Sequence, residues 1–399
     1  MRIGIFTDTY IPFINGVSTS VDTLKKALEK KGHQVFIVTV NPSTMKYTCE
    51  NKVLRIPGIP IGIFDYRLTS IYPAHAIKMI RSWHLDIIHS QTEFGIGSFA
   101  RILARQFNIP IVHTYHTYYE DYMFYVNKGH FDKFSRTLLK QFTNFLCDKT
   151  INELIVPTQK IYDLFKKKYK IERNVYIIPT GIDTKQFNRS NFKDKEISIL
   201  RNSVGINDGD ISLLWVGRLG SEKNIDFLIK NHKEIIKKNP NCKLVIIGDG
   251  PERPKLEKMA QKNVIFIGKV PFAKMPLYYQ LGDILVTASK SETQGLTVNE
   301  AMSASLPVVA IDDQAFTNTI NNNLNGIIFK NRKEYIKAID DIINDNKLPN
   351  FKKEALKKSK DFSSDVFAER ILNVYNIALN KKSKTFFEKL KNIIGGKSE

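Results

Sequence analysis

Cysteine is scarce: Cys49, Cys147 and Cys242 are the only three in 399 residues, and they lie far apart. That spacing excludes a disulfide scaffold and a thiolate zinc module, and it suits a reducing compartment. No apolar run nears the roughly 18 residues that read as a membrane-spanning helix. The opening MRIGIFTDTY reads as a strand, lacking the apolar stretch and small-residue site of a leader. Acidic residues are in deficit, 40 Asp and Glu against 60 Lys and Arg, for a net charge of +20 spread over both halves. Such a balance points to an anionic partner, whether nucleic acid, membrane surface or phosphorylated small molecule. A composition rich in Lys, Asn and Ile yields the same charge with no partner at all. Zinc modules, helix-turn-helix punctuation and RNA-binding aromatics among basic residues are missing, so nucleic acid is not expected.

What is present is alternation. The chain is long for one core and comfortable for two domains, with an ordinary 42% of hydrophobic residues. RIGIFTD, QVFIVTV, LDIIHS, PIVHTY and ELIVPT read as buried parallel strands separated by amphipathic helices. The second half repeats the theme with SLLWVGR, CKLVIIGDG, NVIFIG, DILVTAS and LPVVAID. Two runs of strand-helix alternation predict an α/β chain of two doubly wound domains. The expected division is residues 1–188, residues 189–364, and helices over 365–399 that cross back to the first domain, with the polar stretch Asn188 to Glu196 as linker. Ligands of such sheets bind at the C-terminal strand ends, so a cleft between two facing domains is expected to hold the site.

Four segments sit at such ends. After the first strand, Gly16 precedes a helix whose first turn carries Ser18, Thr19 and Ser20, a place where free N–H groups can meet a phosphate. A single glycine is a weak sign, and an ordinary strand-to-helix turn explains it as well. His116 follows the strand PIVHTY, where it could bond a sugar hydroxyl, while His113 reads as a core residue. Tyr115, Tyr118, Tyr119 and Tyr122 make that loop aromatic, suited to sugar stacking, lipid contact or a plain core corner. In WVGRLGSEKN, Arg218 and Lys223 follow Gly217 and could stabilise charge on a departing diphosphate without a metal. A solvated turn is the competing explanation. In SETQGLTVNEAM, Glu292 and Glu300 flank Gly295. Their spacing arises by chance about once in a chain of this composition. Thr297 and Glu300 also fit a capping box, a purely structural reason for that Glu. The strand delivering the loop and the flexible Gly295 raise the functional reading, because carboxylates accept paired sugar hydroxyls.

Taken jointly, NGV near the N-terminus, IPTGID, VGR-x4-K, IGDGP and SETQGLTVNEAM resemble family 4 of the retaining glycosyltransferases, which have the GT-B fold. The resemblance covers nearly the whole chain. It implies a UDP-sugar donor held by the second domain, with Glu300 on the ribose and Glu292 on the hexose. Thr293, Gln294, Gly295 and Leu296 would line the sugar and phosphates, Gly217, Arg218 and Lys223 the diphosphate, and Gly16 would approach from the first domain. His116 matches the family's histidine near the donor sugar. IGIFTDTYIPFINGVSTSV, SQTEFGIG and HTYHTYYEDYMFYV are similar to stretches of bacterial diacylglycerol glucosyltransferases. That similarity implies glucose transfer from UDP-glucose to the 3-hydroxyl of 1,2-diacylglycerol, by an enzyme peripheral on the cytoplasmic face of the cell membrane. UDP-galactose is the open alternative donor. Anionic lipid would be met by YPAHAIKMIRSWH, with Trp83, and by the tail helix, with Phe386 and Phe387; the alternative for the tail is a helix packed on the fold. No cofactor or metal is expected, since no DxD pair ends a strand and Asp208-Gly-Asp210 reads as a turn. A soluble transferase acting on a sugar or wall precursor, and a noncatalytic basic protein binding lipid or nucleic acid, stay open beside this reading.

Overall fold

A computed structural model describes residues 1–13, 15–60, 67–70, 72–116, 140–141, 143–344 and 347–395, the side chains of Leu68 and of residues 383–395 excepted. The chain forms two compact units. The first comprises Met1–Gly181 together with Ser364–Glu399, the second Ile182–Ser363. The division at Gly181 falls before the polar stretch read as a linker, which lies inside the second unit. There Asn188 Oδ1 accepts the Ser190 N–H at 2.9 Å, and a helix runs from Asp194 to Ser203.

Among the described residues the first unit holds ten strands: β1 (Arg2–Phe6), β2 (Gln34–Val40), β3 (Thr48–Glu50), β4 (Val53–Ile56), β5 (Ile59–Pro60), β6 (Arg67–Leu68), β7 (Ile87–Ser90), β8 (Ile111–Thr114), β9 (Glu153–Val156) and β10 (Val175–Ile177). Eight make one sheet in the order β10-β9-β8-β7-β1-β2-β4-β3, parallel except for β3, while β5 and β6 form a separate ribbon. Ile3, Ile5, Val35, Ile37, Ile87 and Val112 are all fully buried, as expected of a parallel sheet covered on both faces. One cover is the C-terminal helix Ser364–Gly395. Its Phe367, Ile371, Val374, Tyr375 and Ala378 recur at helical spacing and join Ile3, Ile5, Leu24 and Ile87 in one core cluster. Each large side chain so buried contributes about 1.5–3 kcal/mol. Polar bonds fix the helix as well: Lys30 Nζ meets Asp365 at 2.9 Å, and Lys381 Nζ meets the buried Glu153 at 2.5 Å.

The second unit holds β11 (Ile211–Val216), β12 (Cys242–Ile247), β13 (Val264–Gly268), β14 (Ile284–Thr287), β15 (Val308–Ile311) and β16 (Gly326–Phe329). Their order is β13-β12-β11-β14-β15-β16, all parallel, the doubly wound arrangement that reverses direction between β11 and β14. Separate clusters cover the two faces, one around Trp215 and Tyr335, the other around Tyr279 and Phe316. Beyond β11 and β12 the backbones nearly touch: a Cβ on Gly248 would lie 1.7 Å from the Gly217 carbonyl oxygen, so only glycine fits. All ten strands expected from apolar runs form. The others, β3 to β6, β10 and β16, have two to four residues each.

Candidate active site

The reversal between β11 and β14 leaves a crevice at their C-terminal ends, where open α/β sheets bind ligands. The loops leaving those two strands are the ones that carry Arg218 and Lys223 on one side and Glu292 on the other. Three bonds join them. Asn224 Nδ2 donates to the Ala288 carbonyl at 3.3 Å, Ser291 Oγ to the Glu222 carbonyl at 3.4 Å, and Lys223 Nζ to Glu292 Oε1 at 2.6 Å. Two pairs expected to act apart are thus linked, Lys223 reaching across to the carboxylate of the other loop. Arg218 has its own partner in Glu222, four residues on, which sequence reasoning did not single out. Glu222 lies in a short 3-10 turn, Ser221–Lys223, and the regular helix begins at Ile225.

Glu300 lies on the helix Leu296–Ser303. That helix is capped by Gly295 in the left-handed conformation, φ +76°, with no side-chain cap bond. The capping box anticipated between Thr297 and Glu300 therefore does not form, because Thr297 stands inside the first turn and not at its cap. Glu300 is instead bound by the hydroxyl of Tyr279, which donates to Oε2 at 2.5 Å. Burial pushes the Glu300 carboxyl up to about 7, with the Tyr279 bond opposing the rise. Gln294 and Gly295 are buried, while Thr293 and Leu296 are half-buried beside them. Gly217 closes β11 and donates its N–H to the Ile247 carbonyl at 3.0 Å.

In the first unit the polar groups gather where β1, β7 and β8 end. Asn15 caps the helix Gly16–Lys30 through a reciprocal box with Ser18, accepting from its N–H at 2.9 Å. Gly16 is exposed and Val17 half-buried, and neither N–H group has a hydrogen bond among the described residues. His116, half-buried, shares a 2.6 Å hydrogen bond between Nε2 and Gln91 Oε1, and burial lowers its pKa to about 4. It stays neutral at physiological pH, and among the described residues Nδ1 has no hydrogen bond. The other amide atom of Gln91 is buried with no partner among the described residues. His113 is a core residue, as read, held by the Ser90 carbonyl at 3.1 Å and Glu93 at 3.2 Å. Asp8, unremarked in the sequence, accepts the Ile96 N–H at 2.7 Å, and desolvation raises it to about 6. Among the described residues no cluster of His, Cys, Asp or Glu is suited to a metal ion.

The lipid-facing expectations fare differently. Trp83 is half-buried, stacks on Phe36 with centroids 4.8 Å apart and packs against the first core. The helix Ala74–Ser82 likewise buries Ala76 and Ile80 and exposes His75, Lys78 and Arg81. Its outer face is cationic, because the sheet has taken the apolar side. Tyr118, Tyr119 and Tyr122 lie outside the described residues, as do the side chains of Phe386 and Phe387. Among the described residues no helix is long and apolar enough to cross a membrane.

Two doubly wound units, one with a charged crevice at its strand reversal, define the class of nucleotide-sugar transferases of the GT-B fold. Residues 14–186 match Glycosyltransferase Family 4 and residues 196–359 match Glycosyl transferases group 1. The chain is similar to alpha-monoglucosyldiacylglycerol synthase of Acholeplasma laidlawii, 35% identical over 98% of this chain and all of that one. It is also similar to the synthase of that name from Streptococcus pneumoniae, 36% identical over 97% of this chain and 85% of the relative. Among solved structures, Anabaena HepE in complex with UDP and glucose superposes with a TM-score of 0.71 at 16% identity, covering 94% of this chain and 99% of that one. The chain belongs to the family 4 glycosyltransferases.

Proposed function

We propose that this enzyme transfers glucose from UDP-glucose to the 3-hydroxyl of 1,2-diacylglycerol with retention, forming α-monoglucosyldiacylglycerol. Full-length similarity to two synthases of that name supports the acceptor and the sugar. The observation that carries the donor half is the 2.6 Å pair of Lys223 and Glu292 spanning the two loops of the strand reversal. Lys223 and Arg218 bind the diphosphate, and Glu292 orients the hexose hydroxyls. Glu300 holds the ribose, and Thr293, Gln294, Gly295 and Leu296 line the sugar and phosphates with Gly217. Gly16, at its helix N-terminus, meets the phosphates.

In the reaction the acceptor oxygen attacks C1 on the face from which UDP departs. The C1–O bond to UDP breaks as the new glycosidic bond forms, and the acceptor proton passes to the departing phosphate oxygen. Negative charge builds on that phosphate, where Arg218 and Lys223 stabilise it without a metal. His116, neutral, hydrogen-bonds the donor hexose. The enzyme works at the cytoplasmic face of the membrane, drawn to anionic lipid by the exposed His75, Lys78 and Arg81 face and by the overall charge.

UDP release tests this directly. It should require diacylglycerol, prefer UDP-glucose to UDP-galactose, and persist in EDTA. Equal release with water-soluble sugar acceptors and no lipid would overturn the acceptor, favouring the soluble-transferase alternative. Loss in EDTA restored by a divalent cation would overturn the metal-free donor site.

A further inference from the structure

Glu300 is half of a buried pair whose other half the donor-site reading leaves out. Tyr279 ends the short helix Met275–Tyr279, has no exposed surface, and packs its ring edge-on to Phe187 at 5.4 Å. Its hydroxyl has one partner, Glu300 Oε2, at 2.5 Å. No bond from a described residue reaches Glu300 Oε1, and that oxygen is not sealed from solvent. One carboxylate oxygen is tied to the protein, and the other faces outward. This departs from the expectation that a carboxylate in this position offers both oxygens equally to a ribose diol.

We propose that Tyr279 is a positioning residue for nucleotide binding: its hydroxyl anchors Oε2 so that Glu300 meets the ribose hydroxyls through Oε1. The inference rests on the reading of Glu300 as the ribose carboxylate. A hydroxyl donor favours the ionised carboxylate, the form that can accept from the ribose without first losing a proton. Without it the carboxyl would rise further above its present value of about 7, set by burial. The other elements packed on the helix Leu296–Ser303 supply no compensating charge. The buried residues of the helix Leu348–Ser359 are Phe351, Ala355 and Ser359, and β15 is wholly apolar. Lys352 of that helix is engaged by Asp283 at 2.8 Å.

The experiment is UDP binding by calorimetry between pH 6 and 9 for the full chain, Tyr279→Phe, Glu300→Gln and the double variant. Thermal unfolding checks that each variant is folded; the phenyl ring keeps the Phe187 contact. In the parent, affinity should rise through neutral pH as Glu300 ionises. Glu300→Gln should bind more weakly and retain only the titration of UDP itself. Tyr279→Phe should weaken binding about tenfold at pH 7, the scale of losing a hydrogen bond to a charged group, and move the midpoint upward. In the Glu300→Gln background the same change should cost less than about twofold. Parent-like binding by Tyr279→Phe, an unmoved midpoint, or an equal loss in the Gln background would overturn the proposal while leaving Glu300 in place. Unchanged binding by Glu300→Gln would overturn the ribose reading itself.

Discussion

The two units carry polar groups at the same place, the C-terminal ends of parallel strands, and treat them in opposite ways. In the first unit burial has neutralised them. His89 sits between Tyr375 and Thr114 with both ring nitrogens at 2.7 Å, and desolvation holds it well below the usual imidazole range. His113 and His116 are lowered for the same reason. In the second unit charges are kept and paired, Lys223 with Glu292 and Arg218 with Glu222. A group that only accepts or donates a hydrogen bond works uncharged, whereas a departing diphosphate needs standing positive charge. On the proposed function, the contrast would separate residues that shape a sugar and acceptor site from those that stabilise the leaving group.

The largest test of that contrast is Lys223→Ala. Turnover should fall by about a hundredfold to a thousandfold, the loss typical of removing one preorganised stabilising group. Some loss of stability should accompany it, since only about a fifth of each side chain is in solvent and Glu292 would lose this cation, so the rate is compared on protein shown to be folded. Lys223→Arg keeps the charge and should recover part of the rate. UDP release by Lys223→Ala within fivefold of the parent would place the leaving-group charge elsewhere and remove the distinction between the units.

How far could this be seen beforehand? The ten strands read from apolar runs and the two-domain plan were legible because each buried strand is a continuous apolar run with glycine or polar punctuation. Glu292, Lys223 and Arg218 stood out as candidates because they follow such runs directly. Their partners were not. Tyr279 lies 21 residues before Glu300 and looks like any core aromatic. The capping-box pattern at Thr297 misled because Gly295 ends the strand loop in a left-handed turn that starts the helix one residue later. The stacking of Trp83 on Phe36 was not legible, because an amphipathic pattern cannot say which neighbour meets its apolar side.

Protonation should sharpen the comparison at intermediate scale, because the units respond to acid with opposite signs. His116 binds a proton less readily folded, at about 4, than unfolded, at 6.5. Its contribution is present above 6.5 and lost as pH falls towards 4, and His89 and His113 act in the same direction. Asp8, raised to about 6, opposes them in part. Glu300 rises from 4.5 to about 7, so its contribution is present below 4.5 and lost as pH rises towards 7. Between pH 6.5 and 5, hydrogen-exchange protection corrected for intrinsic rates should fall in β7 and β8 and hold or rise in the helix Leu296–Ser303. Parallel loss in both would mean that the buried imidazoles do not set the first unit's acid response.

The smallest effect is expected at Glu222, and it separates the two ion pairs of the second unit. Arg218 and Glu222 are four residues apart, and the Arg218 side chain is 53% exposed. Pairs of that kind are worth about 0.5 kcal/mol or less, because solvent screens them and both side chains lose freedom to form them. Glu222→Gln should therefore shift the urea midpoint by little more than experimental error. It also frees Arg218 from a carboxylate that competes with the diphosphate for the same guanidinium, so UDP affinity should hold steady or rise by about twofold. The Lys223–Glu292 pair differs because it joins two loops and both partners are proposed to bind the donor. A loss of UDP affinity in Glu222→Gln would show that Glu222 holds Arg218 in its working position, and that both pairs, not one, are part of the donor site.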